Sequence, residues 1–345
     1  MMRSLSRRAA LLAAGAALLP FARPPGAAAP PTPEPAVRRA PTPVALPDPG
    51  PVALGLFVPG APADPRPLDA LAETIARMPA FVCWYEAWGT AEAVTGETIG
   101  LDKLQTVVNR GATPLITWEP WDPEAGVEQP AYRAATIAGG AFDAYVDAWA
   151  TRLASWNGPV YLRMFHELNA PWYPWGAGVN GNAPENLVAA WRHVRGRFDR
   201  AGAGNVRWVW CPDAGLGETP LAELYPGDDV VDWVGLDGYN WGEVNPETGW
   251  RSFAEIFGPA YDALGRLTDR PLMVAETASS GQGGDKAAWI AEAFAALPER
   301  FPRVRALSWF DEATAGADWP VTSSPEALAT FAAAATGSRM WGRLP

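Results

Sequence analysis

Residues 159–176 read PVYLRMFHELNAPWYPWG. The stretch starts as a strand. After Gly158-Pro159, Val160, Leu162 and Met164 alternate with Tyr161, Arg163 and Phe165 in a short apolar run. Side chains alternate faces along a strand, so Arg163, Phe165 and Glu167 are expected on one side. The run ends on His166-Glu167 and opens into a loop carrying Trp172, Tyr173 and Trp175. A carboxyl group at a strand end among aromatic rings has the parts needed to work on a glycosidic bond. Apolar surroundings raise its pKa so that it can hold a proton for the leaving oxygen, and indole faces stack on sugar rings. The plain alternative is a strand-end Glu that caps the next helix or pairs with an arginine.

On both sides of this stretch the chain alternates short apolar strands with helical patterns, which argues for a parallel sheet. Strands are expected near 52–57, 80–85, 114–118, 160–166, 205–210, 231–236, 271–275 and 304–309. Helices are expected near 68–78, 99–110, 140–156, 184–201, 251–267, 285–297 and 325–335, with a short one near 218–224. In the helix over 184–201, Leu187, Val188, Trp191, Val194 and Phe198 keep helical spacing, behind an expected Asn182 cap with Glu185 three residues on. Eight strand–helix units from residue 52 onward predict an α/β chain folded as a single (β/α)8 TIM barrel, residues 52–345. Connections from helix to strand are short, at 157–159, 202–204 and 268–270. Connections from strand to helix are long and aromatic, at 118–139, 167–183, 237–250 and 310–324. Barrel sites are built from loops of that second kind, at the C-terminal ends of the strands.

Composition narrows the chemistry. The 345 residues carry a formal charge of −11, which disfavours nucleic acid, anionic membranes and polyanionic substrates. Eighteen tryptophans cluster near expected strand ends and loops, which suits a neutral polysaccharide. Cys83 and Cys211 fall in separate expected strands and read as buried free thiols. The two histidines, His166 and His193, lie in no ligand-spaced motif, so no metal or other cofactor is expected.

Residues 1–29 read as a twin-arginine-like export signal. Arg3, Arg7 and Arg8 precede an apolar run over residues 9–19, and small residues follow at 27–29. That run is too short for a membrane span, so no stable insertion is expected after export. Residues 30–51 are proline-rich and read as an extended linker.

A second carboxylate stands on the seventh strand. Glu276 follows Leu272 and Val274 at the same parity, which we read as the face toward the barrel interior. Glu167 and Glu276 would then face each other across the barrel mouth. Two carboxyls about 5–5.5 Å apart perform retaining hydrolysis, one as acid then base, the other as nucleophile. Glu276 as a carboxylate at a helix N-terminus is the structural alternative.

The pattern Arg163-x-x-His166-Glu167-x-Asn169-x-x-Trp172-Tyr173-x-Trp175-Gly176 resembles the acid/base motif of glycoside hydrolase family 26. That family holds β-mannanases with some β-1,3-1,4-glucanases and β-1,3-xylanases, in a clan of (β/α)8 retaining enzymes. The resemblance extends to Asp237-Gly238-Tyr239-Asn240, Ala275-Glu276 and Ser308-Trp309-Phe310. Met164 and Ala170 depart from the usual Pro and Gly. The resemblance implies Glu167 as acid/base and Glu276 as nucleophile. It implies His166 in the −1 subsite, Trp172 stacking or hydrogen-bonding beside it, and a Tyr239 hydroxyl donated to Glu276. Arg163 would add positive potential under the pair, or else serve as the ion-pair partner of another barrel acid. Trp309 would floor the −1 sugar, and Asn169 would either contact substrate or order its loop.

Trp118-Glu119-Pro120-Trp121-Asp122 forms a second cluster, with Glu119 expected to bond sugar hydroxyls and Trp121 to stack. Trp84, Glu86 and Trp88 would extend that surface, and Trp175 would join the aromatic loop. Aromatic packing between long loops is the alternative for each Trp. Asp213 and Asp237 could line the cleft or order loops. Together these readings predict a secreted, monomeric retaining glycosidase acting on a β-linked neutral polysaccharide or oligosaccharide, first an endo-β-1,4-mannanase. The alternatives are a β-1,3-1,4-glucanase, an exopolysaccharide-processing relative, and, of another class, a non-catalytic glycan-binding barrel.

Overall fold

The computed structural model describes residues 50–90, 99–340 and 344. The export-signal reading, and the linker reading apart from residues 50 and 51, lie outside the described residues. Eight parallel strands close in sequence order into one barrel: β1 (Ala53–Phe57), β2 (Phe81–Ala87), β3 (Thr113–Glu119), β4 (Val160–Met164), β5 (Val206–Trp210), β6 (Trp233–Asn240), β7 (Leu272–Ser279) and β8 (Val304–Phe310). Closure runs through β1 and β8, whose register pairs Ala53 with Ala306 and Phe57 with Phe310. This is the (β/α)8 barrel expected from the alternation of strands and helices.

Around it lie α1 (Arg66–Thr74), α2 (Leu101–Val108), α3 (Ala134–Ala138), α4 (Asp143–Ser155), α5 (Pro184–Arg200), α6 (Leu221–Leu224), α7 (Phe253–Leu267), α8 (Lys286–Glu299) and α9 (Pro325–Ala335). The short helix α3 was not expected. It carries only five residues inside the long loop after β3, too few for a periodic signal. The expected Asn182 cap is also corrected. Ala183 occupies the N-cap position of α5 with Pro184 at N1, while Asn182 accepts from the Ala134 N–H at 2.7 Å and donates to the Pro174 carbonyl at 2.8 Å. Its side chain ties two loops together instead of capping a helix.

Strand alternation divides the core in two. One set, including Phe81, Cys83, Leu115, Tyr161, Val209, Cys211, Met273, Ala275 and Ala306, packs inside the barrel, joined by Leu344 near the chain end. The other, including Val82, Ile116, Leu162, Val234, Leu272, Val274 and Leu307, packs between strands and helices. Cys83 and Cys211 are buried free thiols. No helix among the described residues is long and apolar enough to cross a membrane.

That division corrects two parity arguments. Leu272 and Val274 face the helices, so simple alternation would send Glu276 outward with them. Instead, the β6–β7 register pairs Leu236 with Val274 and Asp237 with Glu276, skipping Ala275. A bulge of this kind re-aims one side chain, and Glu276 turns inward with Ala275. On β4 the strand ends at Met164, and Phe165 and Glu167 take positive φ of 52° and 54°. Strand parity therefore stops short of Glu167, whose direction is set by a tight turn.

Candidate active site

The site grows from a polar layer at the C-terminal end of the barrel. Register aligns Tyr85 of β2 with Thr117 of β3, and Thr117 with Arg163 of β4. Asp237 and Glu276 are paired across β6 and β7. Arg163 is fully buried and links these groups. Its Nη1 donates to both Asp237 oxygens at 2.7 and 2.9 Å, its Nε to Thr117 Oγ1 at 3.0 Å, and its Nη2 to Glu276 Oε1. Burial acts to lower the pKa of Arg163, but the charges of Asp237 and Glu276 outweigh it and hold the guanidinium well above its ordinary value. Both readings of Arg163 hold together, since it is the ion-pair partner of a barrel acid and lies against Glu276.

Two tyrosine hydroxyls also bond Glu276: Tyr85 donates to Oε1 and Tyr239 to Oε2. The tyrosine expected from Asp237-Gly238-Tyr239 is thus in place on the carboxylate. Burial pushes the Cys83 thiol up to about 12, and burial with the Asp237 charge raises Cys211 well above its ordinary value, so both thiols stay neutral beneath this layer.

Glu167 reaches the same space from the turn after β4. Its backbone N–H donates to the Cys211 carbonyl at 2.7 Å, and the Trp172 indole N–H donates to Oε2 at 2.6 Å. One carboxylate oxygen from each of Glu167, Asp237 and Glu276 lies within 4.8 Å of the other two. That density of acid could hold a cation in principle. Here the Arg163 guanidinium already lies against Asp237 and Glu276 and supplies the positive charge.

The loop after Glu167 is compact. Trp175 is fully buried, donates its indole N–H to the His166 carbonyl at 2.7 Å, and stacks on Tyr173 at 4.4 Å between ring centroids. Trp175 therefore supports the turn and does not present a face to substrate, which corrects the expectation. His166 is likewise covered, by Tyr173 at 4.6 Å, Trp175 at 5.6 Å and Tyr85 at 5.9 Å, with Nε2 at 3.8 Å from Glu119 Oε1. Asn169 orders the loop after β5. It donates to the Asp213 and Gly215 carbonyls at 3.0 and 2.6 Å and accepts from the Asp213 N–H at 2.8 Å.

Glu119 and Trp121 lie beside this loop. The Trp121 indole N–H is 3.3 Å from Glu119 Oε2, and its half-buried ring packs edge-on to Tyr173 and Trp175. Trp172, Trp121 and Tyr239 are the expected aromatic residues that keep exposed surface. Trp309 and Trp84 do not join them. Trp309 packs on Trp289 of α8 and Phe331 of α9, because its parity on β8 faces the helices, and Phe310 is the next residue inward, stacked on Phe57 at 4.4 Å. Trp84 faces the helices too, its indole N–H on Glu86 at 2.7 Å, while Glu86 pairs with Lys103 of α2. Trp88 packs among Trp118, Tyr132, Phe142 and Tyr145.

Tyr85 and Trp241 were missed by sequence reasoning. Parity on β2 could have found Tyr85, since Phe81 and Cys83 already mark its face as the interior. Trp241 lies just past β6 and packs on Trp319 at 4.9 Å, which in turn packs on Tyr239 at 5.2 Å. No local pattern brings 241 and 319 together.

Residues 121–286 match the family model described as glycosyl hydrolase family 26. Over 231 residues the chain is 39% identical to Endoglucanase H of Acetivibrio thermocellus, covering 65% of this chain but only 24% of that protein, so the chain spans about a quarter of that relative's length. It is 27% identical over 170 residues to a mannan endo-1,4-beta-mannosidase of Bacillus subtilis, covering 47% of this chain and 42% of that protein. A structure described as a GH26 beta-mannanase from Bacteroides ovatus, BoMan26A, superposes with a TM-score of 0.63 over 84% of this chain and 90% of that one, at 18% identity, which speaks to the fold alone.

Proposed function

We propose that this barrel, whose residues 121–286 match glycosyl hydrolase family 26, is a retaining endo-glycosidase of that family acting on neutral β-linked polysaccharide, with β-1,4-mannan the first substrate to test. The observation that carries the reading is the carboxylate pair. Glu167 and Glu276 bring oxygens within 4.8 Å, and each is bonded by a different kind of donor. That spacing is shorter than the roughly 6.5–9.5 Å at which inverting enzymes fit a water beside the sugar, and suits direct attack on the anomeric carbon.

Glu276 is the nucleophile in this reading. Arg163, Tyr85 and Tyr239 hold it ionised and fixed in rotation. Glu167 protonates the departing glycosidic oxygen, then takes a proton from the water that releases the glycosyl ester. The Trp172 N–H on Oε2 directs the mobile proton to the other oxygen of Glu167. Trp172, Trp121 and Tyr239 offer aromatic surface to sugar rings. The matched names favour mannan and also β-glucan. The endoglucanase name belongs to a protein about four times the matched length, and it supports β-glucan as the second reading. Export of the chain is part of the proposal and is supported by the arginine and apolar pattern of residues 1–29.

Reducing-sugar release from β-mannan, glucomannan, lichenan, β-1,3-xylan and xylan tests the whole reading. Wild type should release sugar from mannan or lichenan, and Glu167→Ala and Glu276→Ala should each fall by roughly 10²–10⁴-fold or more. Full activity in either folded variant would sink the mechanism.

A further inference from the structure

We propose that Tyr85 is a positioning residue for Glu276, a second hydroxyl that completes a three-donor cradle and keeps the carboxylate ionised and aligned through the catalytic cycle. The proposal rests on the reading of Glu276 as nucleophile. Its support is independent geometry. Tyr85 sits in register with Thr117, and Thr117 with Arg163, so the hydroxyl and the guanidinium arise from one layer of the barrel and meet on the same oxygen, Oε1. The Tyr239 hydroxyl approaches the other oxygen, Oε2. Donors on both oxygens fix the rotation of the carboxylate plane, which a single arginine contact would leave free to pivot.

Neighbours hold Tyr85 in that pose. Phe57 meets its ring edge-on at 5.2 Å and His166 packs against it at 5.9 Å. Phe57 is itself stacked on Phe310. The covered histidine, which offers no face to sugar, thereby has a use as a wall for the tyrosine.

A phenol also suits the reaction better than a second cation would. Attack on the anomeric carbon forms a C–O bond to Glu276 and removes its negative charge, and hydrolysis of the ester returns that charge when the carboxylate departs. A neutral donor loses less than an ion pair when the charge vanishes, yet still stabilises the carboxylate as it re-forms. Charged groups facing Glu276 from the packed strands are Arg163 of β4 and Asp237 of β6, with Glu167 from the turn after β4.

The test reads Glu276 directly. Protein labelled with carboxyl-¹³C glutamate is titrated by NMR, with the Glu276 resonance assigned by its loss in Glu276→Gln. In Tyr85→Phe the Glu276 midpoint should rise by about one pH unit, because a donor to the charged form has been removed. The acid limb of kcat/KM on 2,4-dinitrophenyl β-mannobioside or β-cellobioside should move with it, since that leaving group departs without help from Glu167. A merely structural role would lower the folded fraction without moving either midpoint. If Tyr85→Phe fails to fold, Tyr85→Leu is titrated in its place. An unmoved midpoint in a folded variant overturns the proposal. Glu276→Gly with sodium azide separates the two readings: an α-glycosyl azide product upholds the nucleophile, and its absence overturns that assignment whatever Tyr85 does.

Discussion

Trp172 keeps part of its ring exposed while its indole N–H bonds Glu167 Oε2 at 2.6 Å. In the proposed reading, one side chain would offer a stacking face to sugar while its N–H tunes the carboxyl beside it. A donor to a carboxylate favours the ionised form, and such bonds are worth about 1.5–3 kcal/mol. Trp172→Phe keeps an aromatic face and loses the N–H. It should lower kcat/KM by roughly tenfold, and the basic limb of the pH profile should move upward, because Glu167 would then hold its proton to higher pH. Steady-state kinetics across pH on whichever panel polysaccharide is cleaved checks both. A basic limb that stays in place would assign Trp172 to stacking only. Residue identity at this scale was largely legible: Arg163, Glu167, Tyr239 and Glu276 meet as their motifs suggested. Trp309, Trp84 and Trp175 were misplaced, since a tryptophan near a strand end reads the same whether it faces the cleft or the helices.

The loop from Glu167 to Ala183 carries the site at the level of elements. It is held by backbone bonds from Ala177 N–H to the Leu168 carbonyl at 2.8 Å and from Gly176 N–H to the Tyr173 carbonyl at 2.9 Å. Gly176 has no space for a side chain. A Cβ there would lie 2.2 Å from the Ala170 carbonyl oxygen, a backbone atom that cannot swing away. Gly176→Ala should cost about 1–3 kcal/mol of stability by overpacking. It should also reduce kcat, since Ala170 and Gly176 bracket Trp172. Urea unfolding monitored by circular dichroism measures the first effect, and an unchanged midpoint would show that the loop relaxes freely. The positive φ of Glu167 belongs to the same device. Backbone strain of this kind clusters at functional sites and persists because the packed surroundings enforce it. Alternation along the sequence could not foresee it, because the strand pattern continues through Phe165 while the backbone has already turned.

Barrel closure is a property of the whole molecule, and a partly buried acid lies at its seam. Asp311 follows β8; its N–H donates to the Phe57 carbonyl of β1 at 2.9 Å, and its Oδ1 accepts from the Val321 N–H at 2.7 Å. Burial raises its carboxyl pKa from 3.8 to about 6, against the pull of the Val321 N–H and Lys286. A folded-state pKa above the unfolded one means the folded protein binds the proton more tightly. That contribution is fully present below about pH 4 and is lost as pH rises through 6. Asp311→Asn keeps an acceptor for Val321 and carries no charge. It should be more stable than wild type above pH 6, by on the order of 1 kcal/mol, with the difference fading toward pH 4. The gain stays below the full shift because Lys286 loses a nearby charge. Thermal unfolding at pH 4, 6 and 8 tests it; a variant less stable than wild type at pH 8 would show that the ionised group supports the seam.

The sequence by itself determined the barrel and the carboxylates that gather at the C-terminal end of its strands. Strand and helix periods are local, eight units imply closure, and long aromatic loops after strands mark the C-terminal face. Only the tertiary structure decided how the carboxylates are aimed and which rings meet the cleft. The skipped residue Ala275 turns Glu276 inward against its own parity, and it is visible only in the register with β6 and β8. Arg163 finds Asp237 across the barrel interior, 74 positions along the chain. Tyr85 reaches Glu276 across 191 positions, and closure of the barrel alone makes them neighbours. The physical reason is common to all three: alternation tells which face a side chain takes on an ideal strand, while bulges, tight turns and closure determine what lies opposite it.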